Sequence, residues 1–159
     1  MGLRVVVCVK WVPDVAGERG FLGDGRVDRE GVDGVLSELD EYAVEQGLRL
    51  VEGFEGGGEV VVVSVGPEGA REAVRKALSM GVDRGVHVVD EGVVGSDVMG
   101  TSLVVAEAVR RVGFDVVVCG MASTDGGMGV LPALLAERLG VAQVSLLSEV
   151  SVVGGVVRG

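Results

Sequence analysis

Residues 116–132 decide the fold, and they read Val116-Val117-Val118-Cys119-Gly120-Met121-Ala122-Ser123-Thr124-Asp125-Gly126-Gly127-Met128-Gly129-Val130-Leu131-Pro132. The stretch begins as a short apolar run that is typical of a buried β-strand. It continues as a glycine-rich loop and leads into a helix-type pattern over residues 131–139, which stops at Gly140. A strand, a glycine loop and a helix in this order form an anion site, because backbone N–H groups and the helix dipole converge there.

The glycines of this loop predict how a ligand approaches. Gly126, Gly127 and Gly129 can take positive φ angles, and they lack the side chains that would keep a ligand away from the backbone. We expect their N–H groups to face a phosphate. The same loop is also consistent with a plain connection between a strand and a helix. The choice between a ligand-binding loop and a plain connection therefore depends on the rest of the chain.

Composition limits the classes of function. The chain has 159 residues, enough for one domain with a real core, and its net charge of −10 argues against nucleic acid as a partner. No apolar run reaches membrane length, and residues 1–8 suggest a strand rather than a leader, so we expect a cytoplasmic protein that is not embedded in a membrane. Cys8 and Cys119 lie in apolar runs, which indicates buried free thiols.

Strand and helix patterns alternate along the chain. Predicted strands span residues 3–9, 59–64, 84–89, 115–119 and, as a fifth, 143–147. Predicted helices begin at Ser37, after Pro67, at Ser96 or Asp97, and at Leu131. A long polar excursion covers residues 14–33 with a small hairpin around Asp24-Gly25, and a second hairpin is expected within residues 148–158 around Gly154-Gly155. The alternation predicts one α/β domain over residues 1–159, a three-layer α/β/α fold with a mainly parallel, Rossmann-like sheet.

In such folds the ligand lies at the carboxyl ends of the strands, where the strand order reverses. If the first and fourth strands flank that point, three segments converge on it: the end of the first strand, Val65-Gly66, and the loop that starts at Gly120. Cys8 and Cys119 are then expected to be neighbours without a bond between them. The alternation therefore favours nucleotide binding over a plain connection.

Motifs for chemistry are missing from the sequence. There is no G-x-x-x-x-G-K-[ST] loop, the glycines at 126, 127 and 129 do not make G-x-G-x-x-G, and no Cys/His cluster has metal spacing. The one histidine, His87, falls in a predicted strand and is interpreted as structural. The residues predict a binding site without a catalytic apparatus.

Several stretches in succession resemble the β subunit of electron transfer flavoprotein, from residue 3 to about residue 147. These stretches are Val5-Val6-Val7-Cys8-Val9-Lys10-Trp11-Val12-Pro13-Asp14, Leu39-Asp40-Glu41-Tyr42-Ala43-Val44-Glu45, Val63-Ser64-Val65-Gly66-Pro67, Arg75-Lys76-Ala77-Leu78-Ser79-Met80-Gly81-Val82-Asp83-Arg84 and Pro132-Ala133-Leu134-Leu135-Ala136-Glu137-Arg138-Leu139-Gly140. Gly120, Asp125 and Gly129 also follow the family's loop. The motifs are independent and occur in the family's order.

The resemblance implies an α/β/α domain of the adenine-nucleotide-binding type that buries a structural AMP, or a second FAD. It also implies an FAD-bearing α subunit as partner, and electron transfer from acyl-CoA and other flavin dehydrogenases to a quinone oxidoreductase, with no catalytic residues in this chain. The implied nucleotide contacts are Cys8, Ser37, Leu39, Asp40, Val65, Gly120, Met121, Ala122, Ser123, Thr124, Asp125, Gly126, Gly127, Met128, Gly129, Val130 and Leu131.

The chain departs from the family at three places. Ser37-Glu38 replaces the usual Asn-Pro, Met121-Ala122 replaces Lys-Gln, and Gly126-Gly127 replaces two acids, which leaves Asp125 as the loop's only carboxylate. AMP, ATP and FAD remain open as ligands. The family's C-terminal part is expected to be missing, so the alternatives are a stand-alone adenine-nucleotide-binding module and a truncated or engineered scaffold without redox function. An apolar hairpin at the end of the chain predicts self-association.

Overall fold

The computed structural model describes residues 2–159, in which strands and helices alternate along the chain. The strands are β1 (Leu3–Cys8), β2 (Trp11–Pro13), β3 (Gly34–Leu36), β4 (Gly58–Val65), β5 (Arg84–Val88), β6 (Val116–Cys119), β7 (Ser151–Val153) and β8 (Val156–Arg158). The α-helices are α1 (Glu38–Glu52), α2 (Arg71–Ser79), α3 (Val98–Val112) and α4 (Leu131–Leu139). Short 3-10 turns at Glu68–Ala70 and Glu91–Val93 precede α2 and α3.

The main sheet is parallel and has the strand order β5-β4-β1-β6. Its central strands are nearly continuous valine runs because both faces of the sheet are covered. Val5 and Val7 pack with α1 and α2 on one face, whereas Val6 and Cys8 pack with α3 and α4 on the other. The predicted three-layer α/β/α fold is confirmed.

Helix α1 lies close against the sheet and brings its first turn to the carboxyl ends of the strands. Ser37 occupies the N-cap position as predicted, but its side chain makes no capping hydrogen bond. A Cβ atom at Gly47 would lie 2.8 Å from Cγ2 of Val7, so only glycine allows this approach of helix and strand. The close packing sets the position of Asp40, which is buried in the first turn of α1.

The predicted fifth strand at residues 143–147 is wrong. Leu146 has a φ angle of 57°, which is outside the extended region that a strand requires. Within the described part of the chain, β6 pairs with β1 alone, so residues 143–147 add no strand to the sheet. The apolar residues of this segment resemble a strand in sequence, but they lie beside the sheet without joining it.

The two predicted hairpins are present. β7 and β8 pair antiparallel around Gly154 and Gly155, and an antiparallel bridge joins Phe21 to Val27 around the Asp24-Gly25 turn. The sequence did not predict the antiparallel ladder of β2 with β3, because each of these strands is only three residues long. This ladder carries the chain from the end of β1 to the start of α1.

We expect the chain to self-associate at high concentration. Val153 and Val156 of the C-terminal hairpin are 52% and 56% exposed, and Leu146 beside it is 83% exposed. Exposed apolar edges tend to pair with another chain. Light scattering should show a mass that rises with concentration, and Val156→Ser should lower it while Val94→Ser, an exposed apolar site elsewhere, should not. A monomer at every concentration would contradict this expectation.

Candidate functional site

The strand order reverses between β1 and β6, which is the arrangement that was assumed from the sequence. After β1 the chain builds β4 and β5 on one side, then returns to form β6 on the other side of β1. Cys8 and Cys119 are register partners at the carboxyl ends of these two strands. Ligands of open α/β sheets bind at such a reversal point, and the glycine loop of residues 120–130 begins there.

The two cysteines are neighbours and both are free thiols, which confirms their predicted relation. They contact the same apolar cluster on the α3 and α4 face of the sheet. A hydrogen bond with the Cys119 side chain, burial, and the nearby Asp40 carboxylate raise the pKa of the Cys8 thiol well above its usual value. Because the thiolate is the nucleophilic form, Cys8 is poorly suited to nucleophilic chemistry.

Asp40 joins the first turn of α1 to the ends of both strands. Its carboxylate accepts hydrogen bonds from the backbone N–H of Lys10, at 2.8 Å, and from the backbone N–H of Gly120. The side chain is buried, and burial raises its pKa to about 7, although the two N–H donors and the Lys10 charge act in the opposite direction. Asp40, which was predicted as a nucleotide contact, here connects the elements that form the site.

The burial of Asp40 predicts a stability that falls as the pH rises. Because the pKa is raised from 3.8 to about 7, the folded protein binds this proton more tightly than the unfolded chain does. The protonated Asp40 side chain therefore contributes its full stabilisation below the pKa that it has in the unfolded chain. This contribution is lost as the pH rises through the pKa that Asp40 has in the folded protein. At 1.36 kcal/mol per pKa unit, the loss from this one group is about 4 kcal/mol.

Urea denaturation of the parent and Asp40→Asn between about pH 4 and pH 8 measures this dependence. The parent's free energy of unfolding, minus that of the variant, should decrease up to about pH 7 and then level off. Glu38→Gln is the matched control, since it removes an exposed carboxylate from the same helical turn. A difference that is independent of pH for Asp40→Asn would show that Asp40 does not titrate in this range.

Asp125 is the centre of a charged cluster under the glycine loop. Its side chain is 2% exposed and accepts hydrogen bonds from Lys10 Nζ at 2.9 Å and from Arg29 Nη2 at 2.5 Å. Burial acts to raise its pKa, but the hydrogen bonds from Lys10, Ser123 and Arg29 together outweigh burial and hold the pKa well below its usual range. Asp125 is therefore ionised and fixes the loop to two cations.

The backbone of the loop differs from the expectation in one respect. Gly127 and Gly129 have φ angles of 63° and 65°, as predicted for left-handed glycines. However, the N–H of Gly126 donates to Asp125 Oδ1 at 2.7 Å, and the N–H of Gly127 donates to the Ser123 carbonyl at 2.9 Å. Two of the three N–H groups that were expected to face a phosphate are thus engaged within the loop.

The sequence reasoning missed Lys10 and Arg29. Lys10 comes directly after the predicted first strand of residues 3–9 and was given no role, and Arg29 lies in the long excursion, 96 residues before its partner Asp125. No local pattern joins residues so far apart. The lone carboxylate of an otherwise uncharged loop was the available signal, because a buried aspartate needs cationic partners.

The other predicted contacts are distributed around the same strand ends. Ser37 is fully buried and its N–H donates to the Lys10 carbonyl, while Leu39 lies beside Gly120. Val65 ends β4, one strand away from the reversal point. His87, interpreted as structural, is on β5 at the far edge of the sheet. The exposed loop residues are Met121, Gly126, Gly127, Met128, Gly129 and Val130.

A groove of about 720 Å³ continues from the loop along the edge of β6. Its lining includes Gly120 and Gly129 at the loop, Tyr42 of α1, Leu135 of α4 and the segment of residues 141–147. Most of these groups are apolar, which is the usual character of a small-molecule site. The charged cluster and this groove therefore meet at the loop.

Over residues 2–159, no group of three or more His, Cys, Asp or Glu side chains is arranged to hold a metal ion. None of the helices within these residues has the length and apolar character needed to span a bilayer.

Comparison with known proteins gives consistent matches. A family model described as "Electron transfer flavoprotein domain" matches residues 24–158. The chain is 46% identical over 163 aligned positions to "Electron transfer flavoprotein subunit beta" of Mycobacterium leprae, which covers 98% of this chain and 60% of the relative. The protein of the same name from Clostridium acetobutylicum is 35% identical over 152 positions, covering 96% and 58%.

"Protein FixA" of Azorhizobium caulinodans is also similar, with 35% identity over 154 positions that cover 94% of this chain and 54% of the relative. The chain thus spans between 54% and 60% of the length of these three relatives.

Proposed function

Because this chain belongs to the electron transfer flavoprotein family, we propose that it is the nucleotide-holding domain of a β-type subunit in an electron carrier. The glycine loop at the reversal point between β1 and β6 is the observation that carries this proposal. In this account the loop and the strand ends hold an adenine nucleotide, either a structural AMP or an FAD.

The residues at the loop suit a phosphorylated nucleotide. Lys10 and Arg29 supply positive charge beside residues 123–126. Three buried hydroxyl oxygens have no hydrogen-bond partner within residues 2–159, and two of them are Oγ of Ser37, at the start of α1, and Oγ1 of Thr124, in the loop; the third is Oγ of Ser64 on β4. Buried polar atoms are normally paired, so the hydroxyl or phosphate groups of a ligand are suitable partners for them.

We assign the redox chemistry to a flavin and a partner, not to side chains of this chain. The buried thiol of Cys8 has a raised pKa that disfavours its reactive form. An FAD-bearing α subunit is the proposed partner, because the relatives carry the printed name of a β subunit. Flavin dehydrogenases are the proposed electron donors, a quinone oxidoreductase is the proposed acceptor, and the cytoplasm is the proposed location.

Copurification tests this function. The chain is expressed alone and together with an electron transfer flavoprotein α subunit, and the absorbance spectrum is recorded for each preparation. Mass analysis then identifies what heat releases. We expect AMP or FAD from the chain alone, and a flavin-containing complex from the pair. A nucleotide without complex formation indicates a stand-alone nucleotide-binding module, and the absence of both rejects the proposal.

A further inference from the structure

Three cationic side chains converge on residues 123–125, although the chain as a whole has a net charge of −10. Lys10 Nζ is 2.9 Å from Asp125 Oδ1 and 3.4 Å from Ser123 Oγ. Arg29 Nη2 contacts the other oxygen of Asp125, and Arg19 Nη1 is 3.4 Å from the carbonyl oxygen of Thr124. Lys10 follows β1, whereas both arginines come from the excursion of residues 14–33, so separate parts of the chain supply this charge.

The cluster is layered. The Asp125 side chain is 2% exposed, whereas the Lys10 and Arg29 side chains are 42% and 35% exposed. The carboxylate therefore lies beneath the two cations, which remain open to solvent. Because the Asp125 carboxylate faces the two full positive charges of Lys10 and Arg29, these three side chains together keep a net charge of about +1.

Both cations have hydrogen-bond donors to spare. A guanidinium has five N–H donors, and the Arg29 side chain makes a single hydrogen bond to the rest of the described chain, through Nη2. Lys10 Nζ has three donors, of which Asp125 and Ser123 accept two across residues 2–159. The loop's own N–H groups at Gly126 and Gly127 are already used, so these side chains are the better donors for an incoming anion.

We propose that Lys10 and Arg29, which cover the buried carboxylate of Asp125, form the phosphate-binding part of the site. The inference rests on the proposed nucleotide function and deepens it by naming the residues that distinguish a phosphorylated nucleotide from the bare nucleoside. An arginine fork and a lysine point charge together suit a terminal phosphate, which presents several anionic oxygens. Asp125 keeps both side chains next to the loop.

The alternative is that the ion pairs only fasten the excursion to the loop. The two accounts differ in what a lost cation does to ligands with and without a phosphate. If the ion pairs only hold the excursion against the loop, the binding of AMP and the binding of adenosine should weaken to the same extent, because the loop would change shape for both ligands. A phosphate-binding role predicts a loss for AMP alone.

The phosphate-binding role and the purely structural role are distinguished by calorimetry, in which AMP and adenosine are titrated into the parent, Lys10→Met and Arg29→Met. Each variant should weaken AMP binding by about tenfold or more, since a charge-assisted hydrogen bond is lost, and adenosine binding by less than about twofold. Arg26→Met is the matched control. Arg26 lies in the same excursion and pairs with the exposed Asp24, so its loss should leave both ligands unaffected.

Thermal unfolding of each variant checks that it is folded. If Arg29→Met does not fold, Arg29→Lys provides a milder change at the same position. Equal weakening of both ligands, or AMP binding at parental strength in both variants, would overturn the inference. In the second case the parent still binds AMP, so the proposed function would survive. A parent that binds neither ligand would remove the proposed function and this inference with it.

Discussion

Gly120→Ala is expected to lower the free energy of unfolding by about 2–4 kcal/mol, the range for overpacking combined with a broken buried hydrogen bond. A Cβ atom at Gly120 would lie 2.5 Å from Oδ1 of Asp40 and 2.9 Å from the Leu39 carbonyl oxygen. Real side chains do not approach this closely, so α1 or the loop has to move. Either movement separates the Gly120 N–H from the Asp40 carboxylate, and nucleotide binding should weaken with it.

Urea denaturation measures the effect on stability. Gly23→Ala is the control, because a Cβ atom there meets nothing within 4 Å and its backbone is not left-handed. We expect the control to stay within about 0.5 kcal/mol of the parent, as exposed substitutions usually do. Equal stabilities for Gly120→Ala and Gly23→Ala would show that α1 and the loop are not in close contact.

Gly127→Val is expected to weaken AMP binding by about a hundredfold or more, which corresponds to about 2.7 kcal/mol. Gly127 has a φ angle of 63°, and nothing lies within 4 Å of a Cβ atom built there. The substitution therefore acts through backbone strain, because a β-branched residue strongly disfavours the left-handed region. To relieve the strain, the loop must give up the hydrogen bond from the Gly127 N–H to the Ser123 carbonyl.

The fold should tolerate this change, since the loop is exposed at Gly127 and lies outside the core. Gly154→Val is a close match for the backbone effect: Gly154 has a φ angle of 58°, equally open surroundings, and a place in the β7–β8 turn. Calorimetry should find parental AMP affinity for Gly154→Val. If Gly127→Val binds AMP as well as the parent does, the loop is only a connection.

The general architecture was predictable because it depends on local patterns. Valine runs mark the buried parallel strands, and glycines such as Gly53 and Gly140 mark where helices end. The alternation of strands and helices is enough to predict the layers. The reversal between β1 and β6 was an assumption taken from doubly wound folds, and the structure has it. The segment of residues 143–147 shows the limit of such patterns, because an apolar composition suits a strand but does not create a partner for it.

The chemistry of the site was less predictable. Its key contacts join residues far apart in the chain, such as Lys10 with Asp125, 115 residues later. The sequence indicated that Asp125 mattered but not that two cations cover it. It also predicted Asp40 as a contact without indicating that the carboxylate accepts the N–H groups of Lys10 and Gly120. Such roles depend on the three-dimensional packing of α1 against the strand ends.

Hydrogen–deuterium exchange with and without AMP tests the central claim most directly. Binding at the reversal point predicts slower exchange in three segments: residues 8–10, residues 37–40 and the loop of residues 120–131. The far strand β5 is the internal reference and should not change. If saturating AMP protects none of the three segments, or protects only residues 141–157 along the groove, the nucleotide does not bind at the glycine loop and the account is wrong.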